Sequence, residues 1–185
     1  MKPIFHAAAL ALCAGSIALP ANPALAMIET PEAKAEAADL AEDARKDMKK
    51  IFRKKELENG SFLWREGFED SPVDRVVIGL GDQIAYAYSG DELVAVSTIS
   101  SGKAVTPTPT GIFNVLEKQR EYYSRKYDNA PMPFMQRIDK WGIALHGGNL
   151  PGYPASHGCV RLPREFAQRL FAATTTNETM VYIGA

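Results

Sequence analysis

The residues best suited to covalent chemistry lie in one short segment, between His146 and Leu162. This segment contains two of the three histidines, His146 and His157, and one of the two cysteines, Cys159. A cysteine thiol with a pKa of about 8.5 is mostly protonated at pH 7, so a cysteine nucleophile needs a nearby base or a lowered pKa. The segment is therefore typical of an activated cysteine in a glycine-rich stretch of backbone.

Either histidine could act as the base for Cys159. His157 is two residues away and would share a face with the cysteine on an extended backbone. His146 ends a different predicted strand, so it can approach the sulfur from across the site, as general-base catalysis requires. We expect His146 to be the base, while His157 is either a second catalytic residue or a buried core histidine.

The neighbours of Cys159 suggest how a substrate would be held. Gly158 permits a backbone conformation or a close approach that a Cβ atom would block. The amides of Gly158 and Cys159 could then stabilise an oxyanion. Arg161 would lie on the same side as Cys159 if the strand continues, where it could bind a substrate carboxylate or form an ion pair within the protein.

A zinc site is the main competing chemistry. His146, His157 and Cys159 could supply three ligands, but a His-x-Cys pair is not the usual zinc-ligand spacing, and no second cysteine lies nearby. A thiol and imidazoles are sufficient for acyl transfer. We therefore expect no metal and no cofactor.

The first 26 residues are interpreted as a secretory signal peptide. Lys2 precedes an apolar stretch, and Ala24-Leu25-Ala26 has the small residues that signal peptidase prefers. Cleavage after Ala26 would release Cys13 with the signal and leave Cys159 without an intramolecular disulfide partner. We expect an exported protein of the periplasm or cell envelope, with no membrane span after cleavage.

The remaining chain is divided into a helical extension with a connector at 27–72 and a catalytic domain at 73–185. Thr30-Pro31-Glu32 is a typical helix start, and the Ala/Glu/Lys-rich stretch to Lys55 predicts a helix that lies against the domain or acts as a spacer. Residues 117–140 are polar and interrupted by prolines, which predicts a long loop with a lid function. With 21 Lys and Arg against 22 Asp and Glu, the charge does not indicate a nucleic-acid partner.

Strand patterns dominate the second part of the chain. The fold class they predict is mainly β, a mixed sandwich or barrel with one late helix. The predicted elements are strands at 76–80, 83–89, 93–99, 112–116, 143–145 and 180–183, and a helix at 163–171.

Two segments together resemble the signature of the L,D-transpeptidase catalytic domain (YkuD-like) of bacterial cell-wall enzymes. They are Gly-Ile-Ala-Leu-His-Gly at 142–147 and Ser-His-Gly-Cys-Val-Arg at 156–161. Thr-Pro-Thr-Gly-Ile-Phe at 108–113 and Pro-Met-Pro-Phe at 131–134 are similar to two further segments of that family. The resemblance covers roughly residues 73–183.

The resemblance implies a β-sandwich of mixed strands with one packed C-terminal helix, here preceded by the N-terminal helical extension. It also implies that the thiolate attacks the carbonyl of the third residue of a murein tetrapeptide stem and expels D-Ala. The amine of a second stem then resolves the thioester and forms a third-to-third cross-link. Peptidoglycan stem peptides, as donor and as amine acceptor, are the expected partners.

Carried over residue by residue, the resemblance assigns roles to the segment around Cys159. Cys159 becomes the nucleophile and His146 the proton donor and acceptor, oriented by the backbone carbonyl of Gly147. The amides of Gly158 and Cys159 become the oxyanion-binding groups, and His157 shapes the pocket.

The expected substrate-binding residues are Arg161, Ser156 and Tyr153. The stretch 117–140 corresponds to the family's lid, with Tyr122 and Tyr123 as candidate wall residues.

The acceptor stays open, because one thioester can serve several reactions. Water as acceptor would give an L,D-carboxypeptidase, and a lysine amine would make an envelope protein the partner that is attached to, or released from, peptidoglycan. A non-catalytic wall-binding module is disfavoured by the intact Cys159, His146 and glycines. A papain-like peptidase is disfavoured because its cysteine precedes its histidine in the sequence.

Overall fold

Two β-sheets and two helices form residues 27–185, the part of the chain that the computed structural model describes. The predicted signal peptide and Cys13 lie outside these residues. The predicted mainly β sandwich, with an N-terminal helix and one C-terminal helix, is confirmed. The elements in chain order are β1 (Met27–Ile28), α1 (Pro31–Ile51), β2 (Phe62–Trp64), β3 (Arg75–Gly79), β4 (Ile84–Ser89), β5 (Glu92–Thr98), β6 (Gly111–Asn114), β7 (Glu117–Gln119), β8 (Met135–Arg137), β9 (Ala144–Gly147), β10 (Val160–Leu162), α2 (Arg164–Ala173) and β11 (Met180–Gly184).

The larger sheet has seven strands in the order β1-β6-β11-β3-β4-β5-β2. Its side chains alternate between two buried faces, as β4 illustrates. Tyr86 and Tyr88 pack toward α1, whereas Ala85 and Ala87 face the main core. Because α1 covers one face and the main core the other, almost every residue of β4 is buried.

The smaller sheet has four strands in the order β10-β9-β8-β7. Its inner face joins the main core together with Phe166, Ala167 and Leu170 from the buried side of α2. The strands and helix predicted in the second part of the chain agree with the observed bounds to within two residues. The short strands β1, β2, β7, β8 and β10 are not among the predicted strands.

Helix α1 packs closely on the larger sheet through small residues. The Thr30 side chain caps it by accepting a hydrogen bond from the Ala33 amide at 3.2 Å. Its buried face consists of Ala33, Ala37, Ala41, Ala44 and Met48. A Cβ atom on Gly184 of β11 would lie 2.4 Å from the Ala37 carbonyl oxygen, so the helix backbone lies directly on the strand.

Residues 27–72 also contribute both edge strands of the larger sheet. β1 pairs with β6, and β2 pairs with β5. Phe62 and Trp64 of β2 pack on Phe166 of α2, with ring centroids 5.6 and 5.8 Å apart. The helix therefore lies against the domain, the first of the two arrangements predicted for it. Within residues 27–185, neither helix is long and apolar enough to cross a membrane.

The stretch 117–140, predicted as a loop, is instead a β-hairpin over much of its length. β7 pairs with β8 in antiparallel register, from Glu117 with Arg137 to Gln119 with Met135. Beyond the strands, further backbone hydrogen bonds continue as far as Ser124 and Ala130. The sequence prediction recognised strands by alternating apolar residues. This hairpin lacks that alternation and is recognisable only from the backbone hydrogen bonds between its strands. We call residues 117–137 the lid hairpin.

Replacing Met48 by alanine is expected to lower the free energy of unfolding by about 2–5 kcal/mol. Met48 is 1% exposed and fills the space between α1 and the larger sheet. Urea denaturation of the protein lacking residues 1–26 measures the change. The control Lys49→Ala, on the exposed side of the same helix, should change stability by no more than about 0.5 kcal/mol. Equal losses of stability in the two variants would show that the packing of α1 on the larger sheet does not depend on its Met48 face.

Candidate active site

The parallel pairing of β9 and β10 brings the cysteine and the first histidine to one face of the smaller sheet. Arg161 is paired with His146, and Val160 with Leu145. Directly paired residues of neighbouring strands point the same way, as do residues two apart on one strand. Cys159, two residues before Arg161, therefore joins His146 on this face. Both side chains line a cavity of about 950 Å³.

The thiol of Cys159 is held against the backbone that leads into β9. Its sulfur lies 3.7 Å from the carbonyl oxygen of Gly142. Burial raises the pKa of the thiol, and the charge of Asp139 adds to this, while the Ala144 amide hydrogen bond and the charge of Arg161 oppose it. The thiol is therefore protonated in the resting protein and donates to Gly142.

His146 is buried and held in one orientation. Its Nδ1 atom lies 2.9 Å from the carbonyl oxygen of Gly147. Because a carbonyl oxygen only accepts hydrogen bonds, Nδ1 carries the proton and Nε2 keeps its lone pair. Burial lowers the pKa of His146 to about 4, so the ring is neutral at pH 7. A neutral imidazole with a free Nε2 lone pair is able to accept a proton.

The turn before Cys159 requires a glycine. Gly158 has a φ of +115°, and a Cβ atom there would lie 2.6 Å from the side chain of Ile143. The Gly158 amide donates to Ser156 Oγ at 3.0 Å, and the Ser156 hydroxyl in turn donates to the Cys159 carbonyl. Ser156, expected to bind substrate, is 2% exposed, and its hydroxyl is engaged within the turn itself.

His157 lies on the surface rather than in the core. Its ring stacks on Tyr127 at the tip of the lid hairpin, with centroids 4.4 Å apart and planes 17° apart. Its Nε2 atom lies 3.3 Å from Lys103 Nζ, within hydrogen-bond distance. The alternative of a buried core histidine is therefore wrong, and the His157 ring instead packs on the lid hairpin at the cavity wall.

Arg161 lines the cavity and packs its aliphatic stem against Gly148. Within residues 27–185 it forms no ion pair with Asp or Glu, so the internal salt bridge considered for it is not found. Tyr122 also lines the cavity. Tyr123 and Tyr153 are 53% and 62% exposed and lie outside the lining.

His146, His157 and Cys159, the three residues considered as zinc ligands, are not placed to bind one ion. In the described part of the chain, no three His, Cys, Asp or Glu side chains are placed to bind one metal ion. His146 and His157 are separated in environment, the first buried beside Gly147 and the second exposed beside Lys103.

Comparison with known protein families gives a match over most of the described residues. The profile of the YkuD L,D-transpeptidase catalytic domain matches residues 73–183. The chain belongs to this L,D-transpeptidase family. The extent of the match is that expected from the resemblance of the sequence motifs.

Solved structures of L,D-transpeptidases share the fold. An enzyme from Stackebrandtia nassauensis is 20% identical, with a TM-score of 0.55 over 64% of this chain and 60% of its own. L,D-transpeptidase 3 from Mycobacterium tuberculosis, solved with a faropenem-derived adduct, is 22% identical, with a TM-score of 0.54 over 62% and 61%. A mutant Enterococcus faecium L,D-transpeptidase is 24% identical, with a TM-score of 0.53 over 61% and 50%.

The chain thus matches about half to three-fifths of the length of these solved chains. No curated protein sequence matches it.

Two positioning residues of this L,D-transpeptidase-family site escaped prediction. Asp139 Oδ1 accepts hydrogen bonds from the amides of Trp141, Gly142 and Ile143 at 2.7 to 2.9 Å, which fixes the turn beside the thiol. Thr108 donates to the Gly158 carbonyl at 2.8 Å, and so fixes the turn that carries Cys159. An Asp shortly before a Gly is a turn signal that could have identified the first. Thr108 and its partner Gly158 are 50 residues apart, and no local sequence pattern predicted their hydrogen bond.

The buried neutral state of His146 predicts a pH-dependent contribution to stability. The unfolded chain binds a proton at this histidine below about pH 6.5, but the folded protein does so only below about pH 4, so stability falls as the pH decreases through that interval. Between pH 7 and 5 the wild type should lose about 2 kcal/mol more than His146→Gln. Urea denaturation at the two pH values tests this. Equal losses would mean that the imidazole is already solvated in the folded state.

Proposed function

We propose that this chain is an exported, cysteine-dependent peptidoglycan L,D-transpeptidase that forms third-to-third cross-links from tetrapeptide stems. The observation that carries the proposal is the cavity in which a protonated thiol and a neutral imidazole share one face of the β9–β10 pair. Membership of the L,D-transpeptidase family supports the reaction class. The predicted signal peptide supports export to the cell envelope, where peptidoglycan is found.

The first half-reaction would acylate the cysteine. Nε2 of His146 accepts the thiol proton as the sulfur attacks the carbonyl carbon of the third stem residue. The tetrahedral intermediate then breaks its C–N bond, and the imidazolium returns the proton to the departing amine of D-Ala. A thioester on Cys159 and free D-Ala are the products.

The second half-reaction would transfer the acyl group to an amine. The side-chain amine of a second stem attacks the thioester carbonyl, and His146 accepts the proton that the amine loses. Collapse of the intermediate breaks the C–S bond, and the proton returns to the sulfur. The products are an amide between two third residues and the free thiol, so the enzyme is regenerated.

The protonation states favour this general-base route. Burial raises the pKa of Cys159 and lowers that of His146, so a preformed thiolate–imidazolium pair is disfavoured in the resting protein. The proton is then transferred only when the carbonyl is in place. This arrangement limits unproductive oxidation of an exported thiol, because the thiolate is the reactive form.

The oxyanion would be bound chiefly by the amide of Cys159. The Gly158 amide already donates to Ser156 Oγ, so its expected share in oxyanion binding requires exchange of that bond. The Gly147 carbonyl keeps His146 in the tautomer with Nε2 free, which is the role expected of it.

Cys159→Ala is expected to abolish cross-linking, and His146→Gln to reduce its rate by about 10²–10⁴-fold. The assay incubates purified disaccharide-tetrapeptides with the protein and separates the products by mass spectrometry. Cross-linked dimers and released D-Ala indicate transpeptidation. Tripeptides formed despite abundant amine acceptor would instead indicate a carboxypeptidase. Full activity of Cys159→Ala would overturn the mechanism.

A penem should acylate the wild-type thiol covalently. The M. tuberculosis L,D-transpeptidase 3 structure contains a faropenem-derived adduct, which motivates the choice of probe. Intact-protein mass spectrometry should detect an adduct on the wild type and none on Cys159→Ala. Gly158→Ala should slow adduct formation, since its φ of +115° and the contact with Ile143 strain any side chain. A wild type that remains unmodified would favour the wall-binding module.

A further inference from the structure

The cavity next to Cys159 is lined by four basic side chains from three parts of the fold. Arg125 and Lys126 belong to the tip of the lid hairpin, Arg161 to β10, and Arg164 to the start of α2. Among the lining residues only Asp128 carries a negative charge. The chain as a whole is nearly neutral, with a formal net charge of −1, so this excess of positive charge is local.

None of these four basic side chains forms a salt bridge with a described Asp or Glu. The ion pairs within residues 27–185 lie elsewhere, on the exposed side of α1, at Arg65, at Arg137 and along α2 at Arg169. Arg125, Lys126, Arg161 and Arg164 also make no side-chain hydrogen bond to described residues, although Arg164 and Lys126 lie near the Phe134 and Tyr127 rings. A concave wall of unpaired cations attracts anions.

The position of Arg164 is not explained by helix stability. It is the first residue of α2, where the helix dipole favours acidic rather than basic side chains. The residue before it, Pro163, provides no side-chain cap. Arg164 instead lies beside Gly147, since a Cβ atom on that glycine would be 3.4 Å from the Arg164 Cα. The backbone of Arg164 therefore lies beside Gly147, and its side chain lines the cavity that also contains His146.

We infer that this cavity selects donor stems whose carboxyl groups are free and discriminates against stems in which they are amidated. The inference rests on the proposed function, because it takes the peptide stem as the ligand. A tetrapeptide stem has a C-terminal carboxylate and, where its residues are acidic and unmodified, further carboxylates beside the bond under attack. Amidation removes one charge each time and leaves the shape almost unchanged.

The two pairs of cations act on different parts of the stem. Arg161 and Arg164 are carried by a strand and a helix, so their backbone positions in the cavity wall are held by regular secondary structure. Arg125 and Lys126 are carried by the lid hairpin, whose tip is held over the wall by the Tyr127–His157 stack. Charge on the substrate therefore favours the arrangement in which the hairpin covers the cavity.

Binding to the inert variant Cys159→Ala tests the inference without turnover. Isothermal calorimetry compares two synthetic disaccharide-tetrapeptides that differ only in whether the side-chain carboxyls of the second and third residues are free or amidated. The free-acid stem should bind about tenfold more tightly, or more, for each charge retained. This preference should shrink as salt rises from 0.05 to about 0.5 M, because these cations are partly exposed and screened.

Variants assign the preference to the cavity. Adding Arg125→Gln with Lys126→Gln, or Arg164→Gln alone, should lower the preference for the free-acid stem by about tenfold. The matched control Lys49→Gln with Lys50→Gln removes two charges from α1, away from the cavity, and should leave the preference unchanged. Equal affinity for the two stems, or a preference that survives the cavity substitutions, would overturn the inference.

The two proposals fail in distinguishable ways. If the inert variant prefers the free-acid stem but the wild type neither cross-links nor hydrolyses it, the proposed reaction is wrong and the charge selectivity stands. If the wild type cross-links both stems with equal kcat/KM and the inert variant binds them equally, the reaction stands and the selectivity is wrong.

Discussion

The parallel register between β9 and β10 is the constraint on which the site depends. It places His146 opposite Arg161, and the turn before β10 then delivers Cys159 to the same face. The register is itself fixed from the side, because Arg161 and Ser100 exchange backbone hydrogen bonds of 3.0 Å and so tie the smaller sheet to the end of β5. A shift of one residue would turn Cys159 to the opposite face of the sheet.

Burial, rather than an opposite charge, sets the chemistry of this pair. The site withdraws both groups from water, which favours the neutral thiol and the neutral imidazole. Backbone atoms position both groups, because the Gly147 carbonyl accepts a hydrogen bond from His146 and the Gly142 carbonyl accepts one from the Cys159 thiol. Gly147 thus orients His146 through its backbone carbonyl, a contact that does not depend on a side chain at this position.

The lid hairpin and the N-terminal segment add contacts around the site from outside β9 and β10. The hairpin adds β7 and β8 to the smaller sheet. At its tip, the Tyr127 ring stacks on the His157 ring at the wall of the cavity. The N-terminal segment covers the opposite face of the larger sheet and donates a hydrogen bond from Asn59 to the Leu150 carbonyl, in the loop that follows β9. Few of these contacts are local in sequence.

Local sequence patterns were sufficient to predict the mainly β class, α1 with its Thr30 cap, and the cluster of Cys159, His146 and Gly158. These depend on local periodicity, capping and side-chain type, which a single chain displays directly. Only the tertiary structure showed that 117–137 is a hairpin and that Thr108 fixes the turn that carries Cys159. It also decided that His157 is exposed and that four unpaired cations share one cavity. Each of these is set by partners distant along the chain, and local patterns contain no information about such partners.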